Sequence, residues 1–204
     1  YPLPDGVDLE LGGTVEDQGD AFSDLGMLFV LIILLVYIVM ATQFESLKFP
    51  FIIMFTIPFA CTGVFLALWM TSTPLSLIAL IGAIMLVGIV TKNGIVMVDY
   101  MNLLIERGAE VSEAVVAGGK SRLRPVLMTS FTTILGMLPL AIGTGAGSET
   151  WQPMGIAVIG GLTFSTILTL FIVPALYSIL VNRSQRKARE QQARLAAAQG
   201  ADNR

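Results

Sequence analysis

Five long apolar runs, separated by four short polar connections, dominate the chain. A helix needs about 20 mostly apolar residues to cross the ~30 Å hydrocarbon core of a bilayer, and each run is long enough. A helix also satisfies its own backbone hydrogen bonds, as the bilayer interior requires. The pattern predicts an all-α membrane protein, a bundle of five transmembrane helices that span about residues 25–44, 50–71, 75–103, 125–142 and 154–181.

Composition supports a membrane protein and removes several other classes. The 204 residues are 54% hydrophobic and 13% charged, with a mean hydropathy of +0.78. Histidine is absent and Cys61 is the single cysteine, so the commonest zinc ligand and general base is missing and no intramolecular disulfide can form. We find no nucleophile–base pair, phosphate-binding loop or metal cluster. The sequence predicts no enzyme, no cofactor and no nucleic-acid partner; the lipid bilayer is the expected surrounding.

Positive charge is distributed asymmetrically about the predicted spans. Of the twelve Lys and Arg residues, only Lys92 lies within a span. The others fall in the first connection, the third connection and the C-terminal tail, which alternating spans place on one side of the membrane. Cytoplasmic loops are enriched in Lys and Arg. We therefore expect the N-terminus outside and the C-terminus in the cytoplasm.

The regions flanking the spans carry weaker signals. Residues 1–24 contain seven acids and no base, without an initiator Met or a signal-peptide pattern. Residues 1–13 are typical of a turn and a short strand. Since nothing upstream would export this acidic segment, we expect the chain to be a piece of a longer protein and residues 1–24 to end an external domain.

The cytoplasmic flanks are predicted to be a connecting helix at 104–124 and a basic tail at 182–204. Within the connection, Ser112 is a plausible N-cap, and Gly118 and Gly119 a plausible stop. Aromatic residues stand near the span ends, as membrane-interface anchors do. Trp69 and Trp151 mark predicted outer ends, and Tyr100 and Tyr177 predicted inner ends.

Lys92 is the most informative residue, because it is the only charge between Leu75 and Val98. An ammonium near the bilayer centre costs roughly 2.5–3.5 kcal/mol on insertion scales. Such residues usually face a carboxylate or a wet cavity and often mark ion or proton pathways. Asp99 cannot be that carboxylate, because seven residues place it about 10 Å farther along the helix axis.

Several ordered motifs resemble the C-terminal membrane half of resistance-nodulation-division efflux pumps, of the hydrophobe/amphiphile branch of Gram-negative bacteria. The resemblance runs from the N-terminal strand to about Val181, nearly nine-tenths of the chain. The motifs are QFES at 43–46, VGIVTKNGIVMVDY at 87–100, SRLRPVLMTS at 121–130, GMLPL at 136–140, GTGAGS at 143–148 and PMGIAVIGG at 153–161.

The resemblance implies a fold and a role for each matching residue. The five spans would be helices eight to twelve of a twelve-helix protomer, and residues 1–24 the end of a periplasmic porter domain. Lys92 would hold a pair of aspartates on the fourth helix, which this chain lacks. Thr129 and Arg122 would join it in a proton relay, with Asn93 as support. Lys92 also favours the proton-driven multidrug branch, since the metal-exporting branch does not keep this lysine.

The resemblance also implies partners, location and function. It implies proton antiport that exports drugs or other amphiphilic compounds, with protons as the coupling ion. The protomer would sit in the bacterial inner membrane with a periplasmic N-terminus, as a homotrimer, together with a periplasmic adaptor protein and an outer-membrane channel. The remainder of the protomer would carry the acidic pair. The chain alone would lack transport activity.

Other interpretations of the same residues stay open. Lys92 could serve only to bind another subunit's acidic helix, Thr129 could hydrogen-bond to its own helix, and Arg122 could act only in topology. The alternative function is a non-transporting membrane scaffold, or a degenerate pump remnant that binds a partner subunit. The residues do not name a transported substrate.

Overall fold

The fold is a bundle of long α-helices. In the computed structural model, the backbone is described for residues 14–143, 145 and 147–202, and the side chains for 17–143, 145 and 147–182. No strand occurs in this part of the chain, and the predicted strand within residues 1–13 lies outside it. The helices are α1 (Thr14–Gln43), α2 (Lys48–Met54), α3 (Thr56–Met70), α4 (Leu77–Glu106), α5 (Val111–Ile142) and α6 (Ser148–Asp202).

Five of these segments are long and apolar enough to cross a membrane, which confirms the predicted all-α bundle of five spans. The second span consists of α2 and α3 together. α1 begins at Thr14, well before the predicted start at residue 25, because no proline or turn sequence interrupts the segment between them. The described spans are Asp17–Gln43, Lys48–Met70, Leu77–Glu106, Val111–Ile142 and Ser148–Asn182.

Pro58 explains why the second span is divided into α2 and α3. Proline has no backbone N–H, so it cannot donate to the carbonyl of Met54, four residues earlier. The α-helix is interrupted at the next residue, Phe55, whose own N–H still bonds to the Phe51 carbonyl at 3.2 Å. The hydroxyl of Thr56 donates to the Ile53 carbonyl at 2.6 Å. Backbone and side-chain hydrogen bonds therefore continue across the break.

The prediction that Gly118 and Gly119 end a separate connecting helix is wrong. α5 begins after Glu110, rather than after Ser112, and runs without interruption through both glycines and Pro125. Gly118 is buried against α4, where an added Cβ would lie 2.6 Å from Cγ of Met101. This glycine permits a close approach between two helices and does not break its own helix.

The N-terminal part of α6 packs closely against three neighbouring helices through glycines. A Cβ added at Gly160 would lie 2.1 Å from Cβ of Ala67 in α3, and one at Gly161 would lie 2.1 Å from Cδ2 of Leu86 in α4. A Cβ at Gly155 would lie 2.8 Å from the backbone nitrogen of Ala141 in α5. Small residues let membrane helices approach closely, so α6 is the helix around which α3, α4 and α5 assemble.

Two apolar clusters fill the bundle. The cluster toward the predicted outer end joins α3, α4 and α6, and the cluster toward the predicted inner end joins α1, α2, α4 and α6. The outer cluster includes Val64, Leu68, Leu86, Val90 and Leu162. The inner cluster consists of Met40, Ile52, Ile53, Met97, Val98, Met101, Val173 and Tyr177.

Tyr177 is buried inside the bundle, contrary to the prediction that it is an interfacial anchor. Its side chain is fully buried in the inner cluster, its ring is stacked on Phe49 at 5.6 Å, and its hydroxyl donates to Oδ1 of Asn102. A buried tyrosine needs such a partner for its O–H group. Trp69 and Trp151, by contrast, are 80% and 50% exposed at helix ends, in keeping with the predicted anchors.

Adding a methyl group at Gly160 tests the importance of the α6 contact. Because Ala67 and the backbone oxygen of Gly63 occupy the space, Gly160→Ala should lower the free energy of unfolding by about 1–3 kcal/mol. Thermal unfolding of the purified chain in detergent would measure this. Gly136→Ala is the matched control, since among the described residues no other helix comes within 4 Å of its added Cβ. Equal melting temperatures for the two variants would contradict the packing argument.

Cysteine labelling tests the orientation that the charge distribution predicts. In a Cys61→Ala background, a cysteine at exposed Glu149 should react with a membrane-impermeant maleimide added outside the cell. A cysteine at exposed Glu113, on the opposite side, should react only after the membrane is permeabilised. Buried Gly118 is unsuitable for this purpose. The reverse labelling pattern would show that the predicted topology is inverted.

Candidate functional site

Lys92 lies on an exposed stripe of α4. Ile81, Met85, Gly88, Lys92 and Asp99 recur at helical spacing and are all exposed, and we call them the Lys92 stripe. The stripe members before Lys92 are uncharged, and the nearest charged member after it, Asp99, is about two helical turns away. Among the residues whose side chains the structure describes, no carboxylate lies within ion-pair distance of Lys92. The ammonium is therefore directed away from the bundle, from the middle of a span.

The opposite face of α4 fixes this orientation. Gly94 approaches Ile53 of α2, where an added Cβ would lie 2.8 Å from Cγ2, and Leu86 packs against Gly161 of α6. The hydroxyl of Thr91 is buried and donates to the Val87 carbonyl at 2.6 Å. Since these residues must face the bundle, Lys92 faces outward. Asn93, the predicted supporting residue, is half-buried beside it.

Thr129 of α5 lies near the level of Lys92 along the membrane normal. The contacts of Gly118 with Met101 and of Arg122 with Tyr100 set the antiparallel register of α4 and α5. Counting onward from them at ~1.5 Å per residue brings Thr129 close to the level of Lys92. Thr129 is exposed, and its hydroxyl donates to the Val126 carbonyl at 3.0 Å. The interaction with its own helix is thus present in this structure.

Arg122 stands apart from Lys92. Its guanidinium carbon lies 4.5 Å from the centre of the Tyr100 ring, and Tyr100 is eight residues, or about 12 Å, along α4 from Lys92. Nε of Arg122 is buried without a hydrogen-bond partner among the described residues. The structure therefore brings Thr129 to the level of Lys92 and leaves Arg122 two turns closer to the predicted cytoplasmic side.

A layer of buried hydroxyls lies behind Thr129 and was missed by sequence reasoning. Ser130 and Thr166 are both buried and hydrogen-bond to each other at 2.9 Å between α5 and α6. Thr169, one turn along α6, is also buried, and its hydroxyl has no partner among the described residues. Ser130 and Thr166 are 36 positions apart in the sequence, so no local spacing could have shown that they form a pair.

The described residues also determine whether the site could hold a metal ion. They contain no group of three or more His, Cys, Asp or Glu side chains that could bind a metal ion. The polar groups near this level of the bundle are the Lys92 ammonium, the Asn93 amide and the hydroxyls of Thr91 and Thr129. In this arrangement Lys92 can attract a carboxylate, and the hydroxyls can donate and accept hydrogen bonds.

Comparisons with known proteins agree on a family of transporters. A sequence model of the AcrB/AcrD/AcrF family matches residues 1–181. The chain is 40% identical over 185 residues to the swarming motility protein SwrC of Bacillus subtilis, covering 90% of this chain and 18% of the relative. It is 40% identical over 177 residues to the cobalt-zinc-cadmium resistance protein CzcA of Cupriavidus metallidurans, covering 87% of this chain and 17% of the relative.

A drug-resistance protein and a solved structure complete the set. The chain is 43% identical over 155 residues to the multidrug resistance protein MdtC of Erwinia tasmaniensis, covering 76% of this chain and 15% of the relative. It is also similar to the crystal structure of a heavy metal efflux pump, with a TM-score of 0.79 and 32% identity over 88% of this chain and 18% of that one.

These matches agree with the bundle and the motifs described above. The chain spans less than a fifth of the length of the relatives that it matches. The relatives are named for swarming motility, metal resistance and drug resistance, so their names do not choose between the two branches. Five membrane-spanning helices, six ordered motifs and a family match over residues 1–181 point to one conclusion. The chain belongs to the AcrB/AcrD/AcrF family of resistance-nodulation-division transporters.

Proposed function

We propose that this chain forms part of a proton-driven efflux transporter that exports drugs or other amphiphilic compounds. The observation that carries the proposal is the exposed ammonium of Lys92 in the middle of a span, on a stripe whose nearest other charge, Asp99, lies about two turns away. A charge in this position is stable when it meets a carboxylate or a wet cavity. We infer that the remainder of the pump protomer supplies an acidic pair opposite Lys92.

The coupling ion in this proposal is the proton, and no cofactor is needed. Opposite charges attract strongly where the dielectric constant is low. While the acidic pair is ionised, Lys92 holds it against α4. A proton taken up from the periplasm neutralises one carboxylate and weakens the attraction, so the two helices can shift relative to each other. That shift is the step that would drive export in the porter domain.

The neighbouring residues have secondary roles in this proposal. Thr129, near the level of Lys92, offers a hydroxyl to the acidic pair when it turns away from the Val126 carbonyl. Asn93 supports Lys92, and Arg122 acts nearer to the cytoplasm, where a proton would leave. We further propose that the pump is a homotrimer in the inner membrane, with a periplasmic N-terminus, and works with a periplasmic adaptor protein and an outer-membrane channel.

The class of substrate follows from Lys92 by the family resemblance described above, because metal-exporting members do not keep the lysine. The similarity to CzcA and to a heavy metal efflux pump makes metal export the competing hypothesis. A strain that expresses the pump should gain resistance to amphiphilic dyes and leave its tolerance of cobalt, zinc and cadmium unchanged. Increased metal tolerance without dye efflux would reverse this assignment.

Replacing Lys92 tests the proton-relay role in the pump that carries this segment. Lys92→Ala leaves the facing carboxylates without their counter-charge, so they should stay protonated and dye efflux should fall to the level of cells without the pump. Lys92→Arg should fail as well, since a planar fork does not replace a compact ammonium. Thr129→Ala removes one hydroxyl and should reduce efflux by only about two- to tenfold.

The controls for this experiment are expression and membrane insertion, measured by immunoblot of the membrane fraction. Gly136→Ala is a suitable neutral variant, because it lies on α5 with open space around it. Wild-type efflux by Lys92→Ala would show that the lysine is structural.

Expressing the 204-residue chain alone separates transport from a scaffold role. Lys92 has no carboxylate partner among the described residues, so the chain should not couple export to protons. Drug susceptibility of a pump-deficient bacterium should stay unchanged. Resistance that rises and then disappears when the proton gradient is dissipated would refute this expectation. A chain that instead co-purifies with an acidic membrane subunit, in cells without efflux, would favour the scaffold.

A further inference from the structure

The contact between Arg122 and Tyr100 joins α5 to α4 at a level that the proton-relay proposal leaves unexplained. The guanidinium carbon lies over the aromatic ring, 4.5 Å from its centre. This is well inside the ~6 Å limit for a cation–π interaction. It is also the one such contact among the residues whose side chains the structure describes. Tyr100 therefore does more than mark the predicted membrane interface.

The guanidinium has few other groups to hold it. Nε is buried and has no acceptor, and no carboxylate of the described residues forms an ion pair with Arg122. Asp99, although adjacent to Tyr100, is exposed on the Lys92 stripe. A buried donor without a partner is unfavourable, and the negative face of an aromatic ring offsets part of that cost. The ring is thus the main group that orients the cation.

Tyr100 is itself held in place by its neighbours on α4. The next residue, Met101, is fully buried and packs against Gly118, one turn before Arg122 on α5. The residue after that, Asn102, accepts a hydrogen bond from the buried Tyr177 of α6. Three consecutive positions of α4 therefore contact α5 or α6. The ring of Tyr100 is therefore presented to Arg122 by a part of α4 that is packed against both α5 and α6.

We propose that Tyr100 is a positioning residue for Arg122, which its ring holds through a cation–π interaction. The remaining N–H groups of the guanidinium are then available in one orientation to an acidic group or to water in the relay. This inference rests on the relay role proposed for Arg122 above. The competing interpretations are that Tyr100 only fills space between α4 and α5, or only anchors the helix at the interface.

Progressive fluorination of the ring separates these interpretations, because fluorine weakens the negative face of the ring with little change in size. Phenylalanine and its mono-, di- and trifluoro derivatives would be placed at position 100 of the pump that carries this segment. Phenylalanine should export like wild type, and the efflux rate should then fall stepwise, by about 5- to 30-fold at the trifluoro derivative. A role in packing alone would leave the series flat.

The matched control is the same series at Tyr37 of α1, a half-buried tyrosine whose hydroxyl contacts the Leu47 carbonyl at 3.4 Å and whose ring has no cation partner among the described residues. That series should be flat. Melting temperatures of the purified pump provide a second readout. They should fall with fluorination at position 100 in the wild-type background and stay constant in an Arg122→Gln background, where no cation remains.

Arg122→Gln and Arg124→Gln distinguish failure of this inference from failure of the relay proposal. Arg124 is exposed and contacts no aromatic ring of the described residues, so its replacement should preserve efflux. If Arg122→Gln abolishes efflux and the position-100 series is flat, the positioning role is wrong and the relay stands. If Arg122→Gln exports like wild type, both are wrong. A stepwise series that persists in the Arg122→Gln melting temperatures would also overturn the cation–π interaction.

Discussion

The close contact of α6 with α3 and α4 is the interaction on which the rest of the bundle depends. Lipid chains are as apolar as leucine, so burial from water does not drive helices together within a bilayer; tight packing does. Gly63, Gly160 and Gly161 bring the backbones of α3 and α6 together, and Leu86 of α4 fills the space over Gly161. Any side chain at these positions would force the helices apart. About half of the residues in these spans are buried for this reason, whereas few residues of α1 are buried.

The exposed position of Lys92 is a consequence of that packing. Once Leu86 is seated against α6 and Gly94 against α2, the helical repeat leaves Lys92 on the opposite side. α5 is attached separately, through the approach of Gly155 to Ala141 and the Ser130–Thr166 hydrogen bond. Thr129, next to Ser130, is consequently turned outward near the level of Lys92. Contacts made by small residues thus determine which polar groups the bundle presents to its surroundings.

The sequence predicts the spans well because the bilayer imposes a length and a polarity that composition records directly. It predicts contacts between helices poorly. Gly118 was interpreted as a helix stop, but it is a packing site against Met101, and only the neighbouring helix reveals the difference. Tyr177 was interpreted as an interfacial anchor, but it is buried because Asn102 and Phe49 provide partners from other helices. Lys92, in contrast, could be identified as a candidate functional residue from one helix alone. A charge in the middle of an apolar span is unusual wherever its partner lies.

The two cations of the site illustrate two ways of keeping a positive charge in an apolar setting. Arg122 is compensated within the chain, by a ring on the adjacent helix that needs no carboxylate. Lys92 has no such compensation among the described residues and faces outward. A charge that is already partly stabilised within its own bundle would respond less to a proton that arrives nearby. An uncompensated charge responds strongly, because nearly all of its stabilisation comes from the group it meets. The difference in their surroundings supports the proposal that Lys92 is the proton-sensitive residue and that Arg122 is held in a fixed orientation.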